Sequence, residues 1–261
     1  LIAEQLALPS FDEAADLIEQ VDPINLSNAI THLTRFLALG LEDVLLNQFN
    51  RCQSLLKQTD ICEAEIIVNK ALKNTCLFYL ATMEQHTILV EQQFESSDNM
   101  TDSLAALNCS AKYNLAKFPL YMNRFEEEWK TTPLVMDKWF SLGASVNSDD
   151  IFEQLNTLIE HELFSIKNPN RARSLIGAFA MNNPKYFHSP SGQGYKFLAD
   201  KIAELNIINP QIASRLLTPL IQFNSFAYNH KLLMQEQLVR LQALPNLSND
   251  LKEKLDAALA T

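Results

Sequence analysis

The sequence predicts an all-α fold: about a dozen short antiparallel helices in two layers, stacked as an irregular α-solenoid or superhelix. Three observations carry this. Apolar residues recur at helical spacing along nearly the whole chain. Only 5 of the 261 residues are Gly, too few for the turns of an all-β fold or for a Gly-rich phosphate loop. The predicted loops are short, with no long linker and no strict sequence repeat, which suits stacked helix pairs better than one four-helix bundle.

The elements follow in order. Ser10 opens S-F-D-E, a capping box with Glu13, and Ala14, Leu17, Ile18 and Val21 continue at helical spacing. Asp22-Pro23 starts the next helix, since Asp accepts from free N–H groups and Pro at the first helical position has no N–H to leave over. Ile24, Leu26, Ala29, Ile30, Leu33, Phe36 and Leu37 extend it. Helices are predicted over 41–56 and 60–80, the second opened by Asp60 and Glu63 as a capping pair. Others fit 84–94, 101–112, 119–130, 133–143 and 150–164. In the last part Asn168-Pro169, Asn183-Pro184 and Asn209-Pro210 each precede a helical pattern, with Asn as the acceptor. The predicted helices there are 169–180, 194–205, 210–223, 226–244 and 248–260, and Pro219 should kink or split the one it falls in.

Composition bounds the function. Hydrophobic residues make up 47% and charged residues 20%, which excludes a disordered chain. The net charge of -10 disfavours nucleic-acid binding, which needs a basic surface. That charge is uneven: residues 1–167 carry 11 basic and 25 acidic side chains, residues 168–261 carry 10 and 6. The basic last third reads either as drift in surface composition or as a face turned to something anionic. No apolar run approaches the ~20 residues of a membrane span. The opening L-I-A-E-Q-L-A-L has no basic lead and Glu4 interrupts it, so it is not a signal peptide. It reads as the tail of a helix cut at Leu1, and residues 1–261 are expected to form a single, N-terminally truncated helical domain. Cys52, Cys62, Cys76 and Cys109 lack C-x-x-C spacing and read as buried free thiols in a reducing compartment.

Candidate chemistry is sparse. His161-Glu162 begins H-E-L-F-S, with Ser165 where a zinc peptidase helix has its second His, so a zinc site is not expected there. His32, His86, His188 and His230 are isolated in sequence and read as surface or capping residues. No G-x-S-x-G elbow occurs. The string from Ser189 to Gly194 reads as a helix-entry turn, Glu126-Glu127-Glu128 as a solvated helix face, and Trp129 and Trp139 as core. Arg171, Arg173 and Arg215 differ. They fall early in helices opened by Asn-Pro, where a cation opposes the helix dipole by ~0.3–1 kcal/mol. That placement points either to a task other than helix stability or to ordinary surface ion pairs.

Seven strings then carry a resemblance. They are L-P-S (Leu8 to Ser10) with D-P-I (Asp22 to Ile24), N-M-T-D-S-L-A-A-L (Asn99 to Leu107), L-V-M-D-K-W-F (Leu134 to Phe140), N-P-N-R-A-R-S-L-I-G-A-F (Asn168 to Phe179), G-x-G-Y-x-F-L (Gly192 to Leu198) and N-P-Q-I-A-S-R-L (Asn209 to Leu216). In this colinear order the chain resembles the C-terminal helical domain of the bacterial aminopeptidase N family. The resemblance implies a zinc-dependent parent hydrolase that releases N-terminal amino acids. It implies a bacterial, cytoplasmic monomer in which this part, inactive by itself, closes a chamber over the catalytic domain. The zinc motif H-E-x-x-H and the G-A-M-E-N exopeptidase motif belong to that other domain and are absent here, so no catalytic or metal residue is expected in this chain. By the same resemblance Arg173, Gln211 and Arg215 match chamber-facing, substrate-binding positions, and Arg171 is adjacent to one. The implied partners are the N-terminal and catalytic domains of the same polypeptide and peptide substrates. The alternative is a free-standing helical-repeat scaffold for protein–protein interaction.

Overall fold

A computed structural model describes residues 2–260 and bears out the all-α prediction. Leu1, where the sequence suggests a cut helix, lies outside the described residues. The first helices are α1 (Ile2–Gln5), α2 (Phe11–Ala15), α3 (Pro23–Gly40), α4 (Glu42–Leu55), α5 (Glu63–Leu80), α6 (Thr87–Ser96), α7 (Met100–Lys112) and α8 (Phe118–Trp129). There follow α9 (Pro133–Ala144), α10 (Ile151–Glu160), α11 (Pro169–Ala172), α12 (Ala178–Asn182), α13 (Pro184–Phe187) and α14 (Gln193–Ile208). The chain ends with α15 (Pro210–Leu216), α16 (Thr218–Ile221), α17 (Tyr228–Gln242) and α18 (Asn249–Leu259). A π-helical turn, Arg173–Gly177, separates α11 from α12. The extended pairing among the described residues is one parallel bridge, Val21 to Phe226.

The chain divides into two compact units. The first comprises Leu1–Ser10 and Asn28–Glu128, the second Phe11–Ser27 and Trp129–Thr261, so the division falls within α3. In the first unit α4 packs on α5 and α6 on α7. Leu45, Phe49 and Cys52 of α4 are buried, as are Leu72, Cys76, Leu77 and Leu80 of α5. This unit also buries charge. Lys73 Nζ donates to Asp102 Oδ2 at 2.7 Å, and Asn74 and Asn99 donate to the same carboxylate. Burial raises the Asp102 carboxyl, but the Lys73 ammonium and these amides outweigh it and hold the group below its usual value. The Asn99 side chain in turn accepts from Asp102 N and caps α7.

Capping explains where several helices begin. Asp22 Oδ1 accepts from Ile24 N and Asn25 N at 3.1 and 3.0 Å, as D-P suggests. Asn168, Asn209 and Ser248 cap α11, α15 and α18 with their side-chain oxygens. Asn183 does not. Its side chain donates to Ala144 O and Val146 O instead, tying α13 to the end of α9.

Other expectations fail for identifiable reasons. The helix after Ser10 stops at Ala15, because Val21 pairs as extended chain with Ser225 O and Ala227 N, both at 2.8 Å. Leu17, on the expected apolar stripe, is 85% exposed. The helix predicted from Asp60 starts at Glu63, with Cys62 as its cap and Glu65 reaching back to Cys62 N at 3.1 Å. That leaves Cys62 exposed, unlike the other three thiols. Burial pushes Cys76 up to about 11 and Cys109 up to about 12, so both stay protonated and inert. The helix over 84–94 opens as a 3₁₀ turn, Glu84–His86. The helix predicted to 164 ends at Glu160, where His161 turns extended and its Nδ1 accepts from Leu163 N. Pro219 does split its helix, into α15 and α16.

Two glycines of the family-like strings have steric reasons. Gly192 sits at φ 70°, the left-handed region that an L side chain resists, just before α14. A Cβ on Gly194 would fall 2.7 Å from Phe187 C and Cα, which are backbone and cannot rotate aside. Gly194→Ala should therefore cost about 2–3 kcal/mol in urea denaturation. Gly40, with open space around its Cβ direction at the end of α3, should instead gain about 0.5–1 kcal/mol as Gly40→Ala.

Candidate functional site

The second unit brings together the strings that contain the candidate arginines. Asn168 caps α11, and its Oδ1 accepts from Asn170 N at 3.0 Å. That fixes the entry to the turn carrying Arg171 and Arg173. The two side chains then part company. Arg171 is buried, and its guanidinium is engaged by the protein. Its Nε donates to Leu163 O and its Nη1 to Pro133 O, both at 3.0 Å, while Nη1 also donates to Asp137 Oδ1. The planar cation lies 5.0 Å from the centroid of Phe140. Arg171 thus joins α11 to the first turn of α9 and to the chain after α10.

Arg173 begins the π turn and is exposed. π turns widen the helix by one residue and recur at functional sites. This one packs on α9 and on α15. The contact with α15 is close: a Cβ on Gly177 would lie 3.2 Å from Leu216 Cδ2 and 4.0 Å from Arg173 Cβ. Arg215, next to Leu216, is exposed, as is Gln211 one turn earlier on α15. The absent side chain at Gly177 therefore lets two arginine-bearing elements approach.

Charge bookkeeping separates these two arginines from their neighbours. Lys196 and Arg240 pair with Asp200, Lys201 with Glu204, and Arg171 with Asp137. Lys254 donates to Ser214 O, Lys185 to Tyr186 Oη, and Lys231 lies over Phe223. Among the described residues, Arg173 and Arg215 have no such partner. Carboxylates thus neutralise Arg171, Lys196, Lys201 and Arg240, uncharged groups hold Lys185, Lys231 and Lys254, and among the described residues Arg173, Arg215 and Lys252 have neither kind of contact.

Among the histidines isolated in sequence, His32 is exposed and His86 precedes α6, as expected, but His188 and His230 are not surface or capping residues. His161 packs against Trp139 and Phe140 at ring distances of 5.0 and 5.6 Å. His86 Nε2 lies 2.7 Å from Glu42 Oε1. His188 and His230 are buried, and one hydroxyl, that of Tyr195, joins them at 2.8 and 3.0 Å. The tyrosine of G-x-G-Y-x-F-L was the available signal, since a buried phenol needs a partner. Nothing in the sequence said that the partners lie 7 and 35 residues away. Among the described residues no group of three His, Cys, Asp or Glu side chains is placed to hold a metal ion. No helix among them is long and apolar enough to cross a membrane.

A helical-repeat module with a pair of unneutralised arginines is the class that fold and site define. Residues 1–260 match the family described as a domain of unknown function (DUF3458_C) of ARM repeats. The chain is 42% identical over its whole length to aminopeptidase N of Escherichia coli strain K12, and 39% identical over 97% of its length to that of Haemophilus influenzae. It spans about 30% of the length of these relatives. The solved structure of Legionella pneumophila aminopeptidase A in complex with aspartic acid superposes with a TM-score of 0.89. The match covers 99% of this chain and 31% of that one, at 27% identity. The chain belongs to this ARM-repeat family, the C-terminal helical domain of bacterial aminopeptidases N.

The geometry of Arg171 makes a direct prediction. Asp137→Ala leaves a buried guanidinium without its counter-charge and should cost about 3 kcal/mol in urea denaturation. Asp137→Asn keeps an acceptor oxygen and should cost less than the alanine variant.

Proposed function

We propose that this domain closes the catalytic chamber of a zinc aminopeptidase and positions its peptide substrates, with no chemistry of its own. The observation that carries the reading is the pair Arg173 and Arg215, exposed and unneutralised on two elements in contact. Guanidinium groups suit bidentate pairing with peptide carbonyls or a C-terminal carboxylate. Gln211, one turn from Arg215, would add an amide donor and acceptor. Arg171 would act through the backbone: its bonds to Asp137, Pro133 and Leu163 hold the turn from which Arg173 projects. The zinc, held in the catalytic domain of such an enzyme, would activate water and polarise the scissile carbonyl. The arginines would lower the entropy cost of holding the peptide in line. The remaining parts of this reading, a bacterial cytoplasmic monomer whose other domains are this domain's partners, rest on the resemblance to the aminopeptidase N family.

In the longer enzyme, Arg173→Ala and Arg215→Ala should each raise KM for tri- and tetrapeptides by about 10-fold. KM for a small chromogenic amino-acid amide should change little, because that substrate does not extend to the arginines. Equal effects on both substrates would rule out a role beyond the scissile bond. The chain by itself should release no N-terminal amino acid from peptides at any zinc concentration.

A further inference from the structure

The segment Phe11–Ser27 joins the second unit as a separate piece of chain. Two of its attachments meet at His188. Phe11 stacks on the His188 ring, with centroids 5.5 Å apart and planes at 27°. Val21 pairs with the backbone of Ser225 and Ala227, and Phe226 between them packs on His188 at 4.7 Å. His188 is itself oriented by Tyr195, whose hydroxyl lies 2.8 Å from His188 Nδ1 and 3.0 Å from His230 Nδ1.

That bridge has a strict proton count. A phenol carries one hydrogen, and both ring atoms facing it are Nδ1. One Nδ1 must accept the phenolic hydrogen while the other donates its own to the phenolic oxygen. The accepting imidazole is therefore neutral and the donating one carries its hydrogen on Nδ1, while burial disfavours charge on either ring. Protonating the accepting ring would place an N–H on each side of the hydroxyl. The phenolic hydrogen would then have no acceptor at a site walled by Phe187 and Phe226, and a cation would be buried there. We propose that the His188–Tyr195–His230 chain is an acid-released latch that holds the Phe11–Ser27 segment on its unit.

The surrounding charges agree. Burial, with His230 adding to it, holds the His188 imidazole down at about 3. Burial also lowers His230, while Asp22 at the start of α3 opposes it. Asp22 is the carboxylate that acts on His230. Lys185, Lys196 and Lys231, on the helices bearing these rings, are engaged by Tyr186, Asp200 and Phe223, and Asp12 follows Phe11 on α2. An imidazole freed by opening titrates near its ordinary 6.5, whereas His188 in the closed latch stays neutral to about 3. The latch is therefore complete above pH 6.5 and weakens as pH falls toward 3.

Hydrogen exchange on this chain tests the latch. After correction for intrinsic rates, residues 11–21 should open about 30-fold more readily at pH 5 than at pH 7.5, the ratio that one freed imidazole gives. Helices α9 and α14 should stay protected over the same range. His188→Phe keeps an aromatic ring against Phe11 and Phe226 but cannot titrate, so the segment should change by less than about 2-fold. Unchanged protection in the wild type, or equal opening in His188→Phe, overturns the proposal. Should the variant fail to fold, the His188 ring signals in a wild-type NMR titration decide. They must shift with the loss of Val21 amide protection, and a protection loss without that shift overturns the latch as well.

Discussion

Short helices leave nearly as many backbone groups free at their ends as they pair within, and this chain is built largely of short helices. The rest of the structure depends on how those ends are satisfied. Asp22, Asn99, Asn168, Asn209 and Ser248 each give an oxygen to the N–H groups that follow. At the end of α9, where carbonyls are free, a tertiary contact takes over: Asn183 donates to Ala144 O. Most of these ends are closed locally, and Asn183 closes one by joining two helices.

The candidate site grows from the same constraint. Arg171 and Arg173 stand two residues apart in one capped turn, yet one is spent on the fold and the other is exposed to solvent. The π turn that starts at Arg173 and the missing Cβ at Gly177 set the distance to α15 and Arg215. A cation at the start of a helix is unfavourable for that helix. The dipole argument applies to both arginines, but it cannot tell which one the core recruits.

Much of the second unit was legible in its strings. N-P-N-R-A-R and N-P-Q-I-A-S-R mark capped helix starts and resemble the aminopeptidase domain, and the family match agrees. The G-x-G-Y string marked a turn, and both glycines proved sterically required. Less legible were elements whose limits depend on distant partners. Val21 continues a helical stripe in sequence but lies in a bridge, because Ser225 and Ala227 supply its hydrogen bonds. Periodicity records which residues are apolar, not which chain segment arrives to cover them.

The sequence by itself determined the helical class, most helix starts, the charge asymmetry and the family. These rest on local rules of spacing and capping, or on strings long enough to be specific. Only the tertiary structure decided that Arg171 is buried while Arg173 and Arg215 are exposed. It alone decided that Cys62 differs from the other thiols, and that His188 and His230 share one phenol. Each of these depends on contacts between residues far apart in the chain, and burial and hydrogen-bond partners exist only once those residues have met.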